Sequence, residues 1–431
     1  MNLIFQYVRI TIVNNELPEY GRKGDGLKSV IVIGGGASGM TAAISAARQG
    51  ARVTIIDHMD RIGKKILSTG NGKCNYTNQK QGVRYYRGEN PAFVLPVFSQ
   101  FGLKETLSFF RELGIYPKER DGYFYPASGQ AASVLEVLRM ELKRLSVEIR
   151  TKCHLTSVQK TKKGFLLSTT SGNLNADSCI FACGGKSFPK SGSDGSAFPY
   201  IEQLGHTFID VVPALVQMKA KQSFFKSIAG IRADILITLY TKNDCIKERG
   251  EVQLTNDGIS GIPSFQVSRF AAKALRRKER VFAVLDFMPD LSKEELQQEL
   301  IRRFFRDDGK TCEEALIGLF SKKLIPVFLK ENQISLHKIA KQVDVMKLEK
   351  FASYLKNVKI DILSTKGFES SQVTAGGVST AELQEDTLES KMVPGLFFAG
   401  EVIDIDGMCG GYNLQWAWSS GYVAGMNAAR R

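Results

Sequence analysis

Three glycines near the start of the chain, Gly34, Gly36 and Gly39, follow the spacing G-x-G-x-x-G. Because glycine has no side chain, Gly34 permits a tight turn and Gly36 lets the backbone approach a ligand closely. Gly39 allows the following helix to pack on the preceding strand, and the start of that helix points free N–H groups at an anion. The spacing predicts a pyrophosphate site; the alternative is a turn that serves helix packing alone.

A carboxylate further along the chain has the position expected of a ribose ligand. Asp57 follows Gly39 by 18 residues, and its carboxylate can accept hydrogen bonds from the ribose hydroxyls of an adenosine.

The elements that position these residues are predicted from the same stretch. Residues 30–33 are a β-branched run typical of a strand buried on both faces. A helix with one apolar face follows and ends near Gly50, and residues 53–56 predict a second strand. Strand, helix, strand and terminal acid together strengthen the dinucleotide hypothesis.

The next segment, residues 58–78, is too rich in glycine and polar residues for a regular element, and long ordered loops are usually functional. Gly70 and Gly72 allow backbone amides to approach a ligand, while Lys64, Lys65 and Lys73 offer positive charge to phosphates. The alternative is a solvated basic loop.

Several stretches resemble one family of bacterial flavoproteins, variously called BaiN-like, aminoacetone oxidase or NAD(P)/FAD-dependent oxidoreductases. The most specific is G-K-K-I-L-S-T-G-N-G-K-C-N-Y-T-N at residues 63–78. The turn A-C-G-G at 182–185 is similar to the A-T-G-G turn of two-dinucleotide-type flavoproteins, with Cys183 in place of threonine. The loop at 186–198, the segment 250–264 and the closing stretch 373–421 also resemble the family, and the likeness covers residues 29–425 overall.

This resemblance implies an α/β fold: a Rossmann-like FAD-binding domain of the two-dinucleotide type with an inserted β-barrel plus helical domain. FAD is the implied cofactor. Spacing and resemblance together assign these residues to cofactor binding: Gly34, Gly36, Ala37, Ser38, Gly39, Asp57, Lys65, Gly70, Gly72, Cys74, Asn75, Leu155, Ala182, Gly184, Gly400, Glu401, Gly411, Tyr412, Asn413 and Leu414.

Two of these positions have specific implied roles. A strand at 395–399 followed by Gly400 and Glu401 places the acid near the ribityl-pyrophosphate in flavoproteins of this class. A helix that begins near Asn413 then directs its positive end at the flavin, where it stabilises the negative charge that forms on reduction.

The domain organisation follows from where these segments lie. We expect residues 1–27 to be an N-terminal extension, 28–212 and 374–431 to form one discontinuous FAD-binding domain, and 213–373 to form the inserted domain on the substrate side. Within the first part, residues 147–151, 154–160, 165–169 and 175–181 are predicted strands.

Amino-acid composition, cysteine usage and net charge indicate the class of protein and its compartment. The 431-residue chain is 43% hydrophobic and 24% charged, which is typical of globular proteins. Seven scattered cysteines without a pairing pattern suit a reducing compartment, and the N-terminus is a poor signal peptide, so we expect a cytoplasmic protein with no membrane partner. The family resemblance implies a bacterial protein. The net charge of +14 suits a nucleic acid, an anionic cofactor or a basic surface.

The resemblance implies hydride transfer through flavin N5, and two chemistries stay open. One is NAD(P)H-linked reduction of a conjugated C=C bond in a small organic substrate; the other is oxidation of a small amine such as aminoacetone by oxygen. Because no second G-x-G-x-x-G follows a strand, NADPH or NADH must bind transiently over the flavin. A flavin-dependent RNA-modifying or RNA-binding protein is a further alternative, motivated by the charge and by the basic run 273–280, although we expect a small-molecule substrate rather than a nucleic acid.

The sequence does not identify a catalytic acid or base, and no metal site is expected. None of the four histidines has a ligand spacing, and Cys74 and Cys409 lack the local spacing of a redox-active pair, so we expect unreactive thiols.

Overall fold

The computed structural model describes residues 27–430 of the chain. The predicted extension therefore lies outside the described residues, except for Leu27. The strands are β1 Ser29–Ile33, β2 Arg52–Ile56, β3 Thr77–Asn78, β4 Tyr86–Arg87, β5 Pro117–Arg120, β6 Tyr123–Pro126, β7 Glu148–Arg150, β8 Leu155–Thr161, β9 Gly164–Thr169, β10 Gly172–Ala176, β11 Ser178–Phe181, β12 Phe208–Ala214, β13 Met218–Ala220, β14 Arg232–Tyr240, β15 Cys245–Thr255, β16 Gly258–Ser260, β17 Val281–Asp286, β18 Val358–Thr365, β19 Val373–Val378, β20 Leu396–Phe398 and β21 Asp406–Gly407. The helices are α1 Ala37–Arg48, α2 Lys64–Ser68, α3 Val94–Gln100, α4 Leu103–Glu112, α5 Ala131–Arg144, α6 Phe198–Gln203, α7 Phe225–Ile228, α8 Ile262–Arg276, α9 Lys293–Phe304, α10 Cys312–Leu316, α11 Leu324–Glu331, α12 Val345–Lys356 and α13 Tyr412–Arg430.

A five-stranded parallel sheet in the order β20-β11-β1-β2-β7 organises the first part of the molecule. The apolar side chains of β1 are buried, as the β-branched run predicts, and helices α1 and α13 pack against the sheet. Since all five strands are parallel, their carboxyl ends meet at one edge, where ligands bind in sheets of this type.

One predicted strand is in fact two. Residues 175–181 divide at Asp177 into the end of β10, which pairs with β9, and β11, which pairs with β1. The carboxylate of Asp177 accepts hydrogen bonds from the backbone N–H and the hydroxyl of Ser29, at 2.8 and 2.7 Å. This contact fixes the turn between two sheets, which strand periodicity alone does not reveal.

Helix α13 packs along α1 at very short range. A Cβ at Gly421 would overlap the carbonyl oxygen of Ser38, and one at Gly425 would overlap that of Ala42. Both tryptophans of α13 are buried, and each indole N–H donates to a backbone carbonyl: Trp416 to Gly400 and Trp418 to Tyr76. The C-terminal helix is therefore part of the same core as the first βαβ unit.

The central part of the chain contains a closed six-stranded antiparallel barrel, β13-β16-β15-β14-β17-β18, with α8 to α12 around it. The barrel strands and these helices together form a second large hydrophobic cluster. The chain enters and leaves along β12 and β19, which pair with each other, so both predicted domain boundaries fall within paired strands. The domain division itself stays a prediction, but the fold class, α/β with a barrel plus helical part, is confirmed.

Among residues 27–430, no helix is both long enough and apolar enough to span a membrane.

Candidate functional site

A cavity of about 330 Å³ lies at the carboxyl ends of β1, β2 and β11. Its size and position are those of a ligand site in a parallel α/β sheet. Residues that are far apart in the sequence meet here, since the wall includes the start of α1, the segment after β2 and the start of α13.

The structure brings twelve of the twenty predicted cofactor-binding residues into this wall. They are Gly34, Gly36, Ala37, Ser38, Asp57, Lys65, Leu155, Ala182, Gly184, Glu401, Asn413 and Leu414. The other eight, which do not line the cavity, are Gly39, Gly70, Gly72, Cys74, Asn75, Gly400, Gly411 and Tyr412. Contact of any of the twenty with the cofactor stays a prediction.

The glycine turn leaves room for an anion. Gly34 has a φ of 104°, and a Cβ there would lie 2.5 Å from the carbonyl oxygen of Ala182. By contrast, a Cβ at Gly36 would meet no other atom within 4 Å. No side chain caps the first turn of α1 and no acidic residue lies in it, so its N–H groups face the cavity without a competing carboxylate. These residues fit the pyrophosphate of FAD.

Asp57 lies in the cavity wall directly after β2, and backbone N–H groups already donate hydrogen bonds to its carboxylate. Its Oδ2 accepts from Gly35 N at 2.7 Å and its Oδ1 from Met59 N at 2.8 Å. Each carboxylate oxygen keeps a further lone pair, so the side chain is held in place and can still accept from a sugar hydroxyl.

Beyond Asp57 lies a second polar group that sequence reasoning missed. His58 Nε2 lies 3.4 Å from Asp194 Oδ2, and the His58 ring centroid lies 5.5 Å from that of His154. The hydrogen bond with Asp194 raises the pKa of His58, while burial opposes the rise.

Two lysines of the basic segment line the cavity and pair with acidic side chains. Lys65 Nζ lies 2.8 Å from Glu401 Oε2, and Glu401 Oε1 accepts from Thr374 N at 2.8 Å. Lys64 pairs with Asp60. The positive charge of Lys65 is therefore balanced within the chain, which places a polar pair rather than a free cation in the cavity wall.

The positive end of α13 also reaches the cavity. Asn413 holds the preceding turn, because its side chain accepts from Gly407 N at 2.7 Å and donates to Gly407 O at 2.8 Å. Gly411 has a φ of 92°, and a Cβ there would lie 2.8 Å from the carbonyl oxygen of Thr77. Glycine is required because the backbone of the turn lies against neighbouring backbone.

The Gly/Ser-rich loop after β11 supplies a larger share of the wall than the site prediction included. Residues 191–197 all line the cavity, and the buried hydroxyl of Ser193 has no hydrogen-bond partner among the residues that the structure describes. In the sequence, the high glycine and serine content of this loop was the feature that could have indicated these lining residues. Lining residues outside the twenty assigned to cofactor binding also include His58, Arg61, Lys64, Thr69, Cys153, His154, Cys183, Tyr200, Gln372, Val373, Ile405, Trp416 and Ala417.

Neither Cys74 nor Cys409 lines the cavity, and burial raises the pKa of each thiol to about 12. Both thus stay protonated at neutral pH, as expected of unreactive cysteines. In the described part of the chain, no group of three or more His, Cys, Asp and Glu side chains could hold a metal ion.

Comparison with known proteins identifies the family of the chain. The model of the HI0933-like protein Rossmann domain matches residues 28–427. A 3-dehydro-bile acid delta(4,6)-reductase from Clostridium scindens is 44% identical over 403 residues, which cover 93% of this chain and 98% of the relative. Ribosomal RNA dihydrouridine synthases from Haemophilus influenzae and Escherichia coli are 29% and 28% identical, over 93% and 91% of this chain and 98% and 96% of their own lengths.

The glycine turn, the converging helix ends and the relatives agree on one class of enzyme, an FAD-dependent oxidoreductase, as predicted from the sequence. The chain belongs to the HI0933-like family.

Proposed function

We propose that the enzyme uses NADPH or NADH to reduce a C=C bond conjugated with a carbonyl group in a small organic substrate. Bound FAD would supply hydride transfer between the nicotinamide and the carbon β to the carbonyl, and a proton from solvent or protein would complete the reduction at the α carbon. The 44% identical reductase supports this substrate class.

The observation that carries the proposal is the convergence of two helix N-termini on one cavity. The first turn of α1 lies beside Gly36, and the first turn of α13 supplies Asn413 and Leu414. We assign the α1 end to the pyrophosphate and the α13 end to the flavin, where its dipole stabilises the charge that develops on hydride uptake.

The polar residues between these ends have distinct proposed roles. Asp57 binds the ribose, and Glu401, which is held by Lys65 and by the backbone of Thr374, orients the ribityl-pyrophosphate. The hydroxyl of Ser193 donates a hydrogen bond to the phosphate on the adenosine side of FAD. Each of these groups is proposed to bind or orient the cofactor.

A second candidate is the same reduction on a uracil base in RNA. The two relatives named ribosomal RNA dihydrouridine synthases favour it. Formation of dihydrouridine also adds two hydrogens across a C=C bond conjugated with a carbonyl. The basic run 273–280 gives this candidate little support, because Arg276 pairs with Asp210 and Arg280 with Asp361.

Anaerobic stopped-flow absorbance of the FAD-loaded protein tests the proposal. We expect NADPH or NADH to bleach the flavin, and a conjugated steroid ketone to restore its colour. Recovery with a uridine-containing RNA but not with the ketone would support the second candidate. Bleaching by aminoacetone, with no response to either nicotinamide, would show the amine oxidase chemistry and contradict the proposal.

A further inference from the structure

A buried ion pair joins the helical side of the barrel to the segment that precedes α13. Arg269 on α8 donates from Nε to both carboxylate oxygens of Asp406, at 3.0 and 2.9 Å. The two side chains are only 9% and 5% exposed. Three residues earlier on α8, Gln266 Oε1 accepts from Cys409 N at 3.1 Å.

Asp406 is next to residues that shape the cavity. Ile405, the preceding residue, lines the cavity wall. Gly407, the following residue, exchanges two hydrogen bonds with the side chain of Asn413 in the first turn of α13. A displacement of Asp406 would therefore move both an apolar wall residue and the turn that sets the position of the helix end.

A contribution to folding stability is a poor explanation for the buried Arg269–Asp406 pair and the neighbouring Asp404. Two buried polar atoms, Arg269 Nη2 and Asp404 Oδ1, have no hydrogen-bond partner within residues 27–430. Burial raises the pKa of Asp404 to about 6 and also raises the pKa of Asp406, although Arg269 and Lys273 oppose both rises. Apolar side chains would fill the same space without these desolvation costs, so the pair is better explained by the geometry that it specifies.

We propose that Arg269 is a positioning residue for hydride transfer: through Asp406 it fixes the segment 405–409 and thereby the N-terminus of α13 against the flavin. This inference rests on the proposed function, which assigns that helix end to the flavin. Arg269 does not touch the reacting atoms; it acts through Asp406, Gly407 and Asn413 in turn.

The same helix provides a matched control. Arg276, two turns further along α8, pairs with Asp210 on β12 at 3.1 Å, and these side chains are 56% and 63% exposed. Both pairs join α8 to the part of the chain that carries the cavity, but only the Arg269 pair leads to α13. Exposed ion pairs contribute little to stability, so Arg276→Gln should behave as wild type.

The test compares FAD-loaded wild type, Arg269→Lys and Arg276→Gln. Lysine retains a positive charge beside Asp406 but lacks the planar guanidinium that contacts both oxygens. We expect Arg269→Lys to make the reduction potential of bound FAD more negative and to slow hydride transfer from NADPH at least about tenfold, with KM little changed. A potential and a hydride-transfer rate equal to those of Arg276→Gln would overturn the inference, even if the melting temperature fell.

A double variant, Arg269→Met with Asp406→Leu, guards against a trivial loss of folding, since it removes both charges together. The same negative shift of potential and slow transfer are expected, and wild-type values would overturn the inference. The potential is measured by titration with dithionite and a reference dye, which requires no nicotinamide or substrate. If NADPH fails to reduce the wild type, the proposed function fails, but the effect of Arg269 on the potential is still measurable.

Discussion

Gly36 and Gly39 belong to one motif but have different surroundings. A Cβ at Gly36 would project into open space, whereas a Cβ at Gly39 would overlap the carbonyl oxygen of Gly34. The first glycine therefore leaves space beside the cavity, and the second allows α1 to pack on the turn. The spacing predicted both roles. The overlap that a Cβ at Gly39 would make is direct structural evidence for the packing role.

Alanine at each of these positions separates the two roles. We expect Gly36→Ala to fold normally and to bind FAD at least about tenfold more weakly, a loss of ~1.4 kcal/mol. We expect Gly39→Ala to lose about 1–3 kcal/mol of unfolding free energy through overpacking. Urea unfolding of the apoprotein and fluorescence titration with FAD measure the two effects. Equal destabilisation by both substitutions would show that Gly36 is also a packing residue.

His206 has a structural role that its sequence context does not indicate. Its ring nitrogens lie 2.8 Å from Glu382 Oε2 and 2.9 Å from Ser390 Oγ, and the ring is buried. Burial lowers the pKa of His206, although the contact with Glu382 opposes this. The folded state then binds fewer protons than the unfolded state, so stability should fall as pH decreases through the ordinary value of 6.5 and below.

The variant His206→Gln, which cannot titrate, should show a flatter dependence of unfolding free energy on pH between about 5 and 7. His337→Gln, at an exposed histidine, is the control and should keep the wild-type slope. Urea unfolding at several pH values provides the comparison. An unchanged slope in His206→Gln would mean that His206 binds as many protons in the folded as in the unfolded protein, and would contradict the lowered pKa.

At the scale of elements, the contact between α1 and α13 joins the two ends of the described chain. Gly421 and Gly425 lie one helical turn apart on α13, and the backbone of α1 passes directly over them. The packing holds the starts of both helices at one cavity, so the N–H groups of α1 and those of α13 can face the same ligand.

The substitution Gly425→Ala tests this packing, because close contact and open space predict opposite signs for the change in unfolding free energy. In an unobstructed helix, Gly→Ala stabilises by roughly 1 kcal/mol because it restricts the unfolded chain. Here the added Cβ would overlap the carbonyl oxygen of Ala42, so we expect a loss of about 1–3 kcal/mol and weaker FAD binding. Asn427→Ala, at a half-buried position on the same helix, should stay within about 0.5 kcal/mol of wild type. Stabilisation by Gly425→Ala would contradict the close approach.

The elements that sequence reasoning predicted best have a strong local signal. The βαβ unit from β1 to β2 and the start of α13 agree with the structure to within a few residues. The division of residues 175–181 was missed because the hydrogen bonds between Asp177 and Ser29 join positions 148 residues apart. The His58–Asp194 contact also joins positions that are far apart in the sequence. It was missed because neither residue lies in a distinctive local pattern.

At the scale of the whole molecule, the chain leaves the parallel sheet, forms the barrel and its helices, and returns to complete the cavity. β12 and β19 pair where the chain leaves and returns, and α8 lies beside them through Ala272. The resemblance predicted this discontinuous arrangement, but not the contact between α8 and the segment before α13, because the pairing of Arg269 with Asp406 depends on the packing of distant parts.

Two segments from opposite ends of the described chain are proposed to hold one FAD jointly. Spectral titration of the purified apoprotein with FAD, followed by gel filtration, tests this claim most directly. We predict a yellow protein that retains one FAD per chain. Protein that stays colourless after incubation with excess FAD would contradict the account.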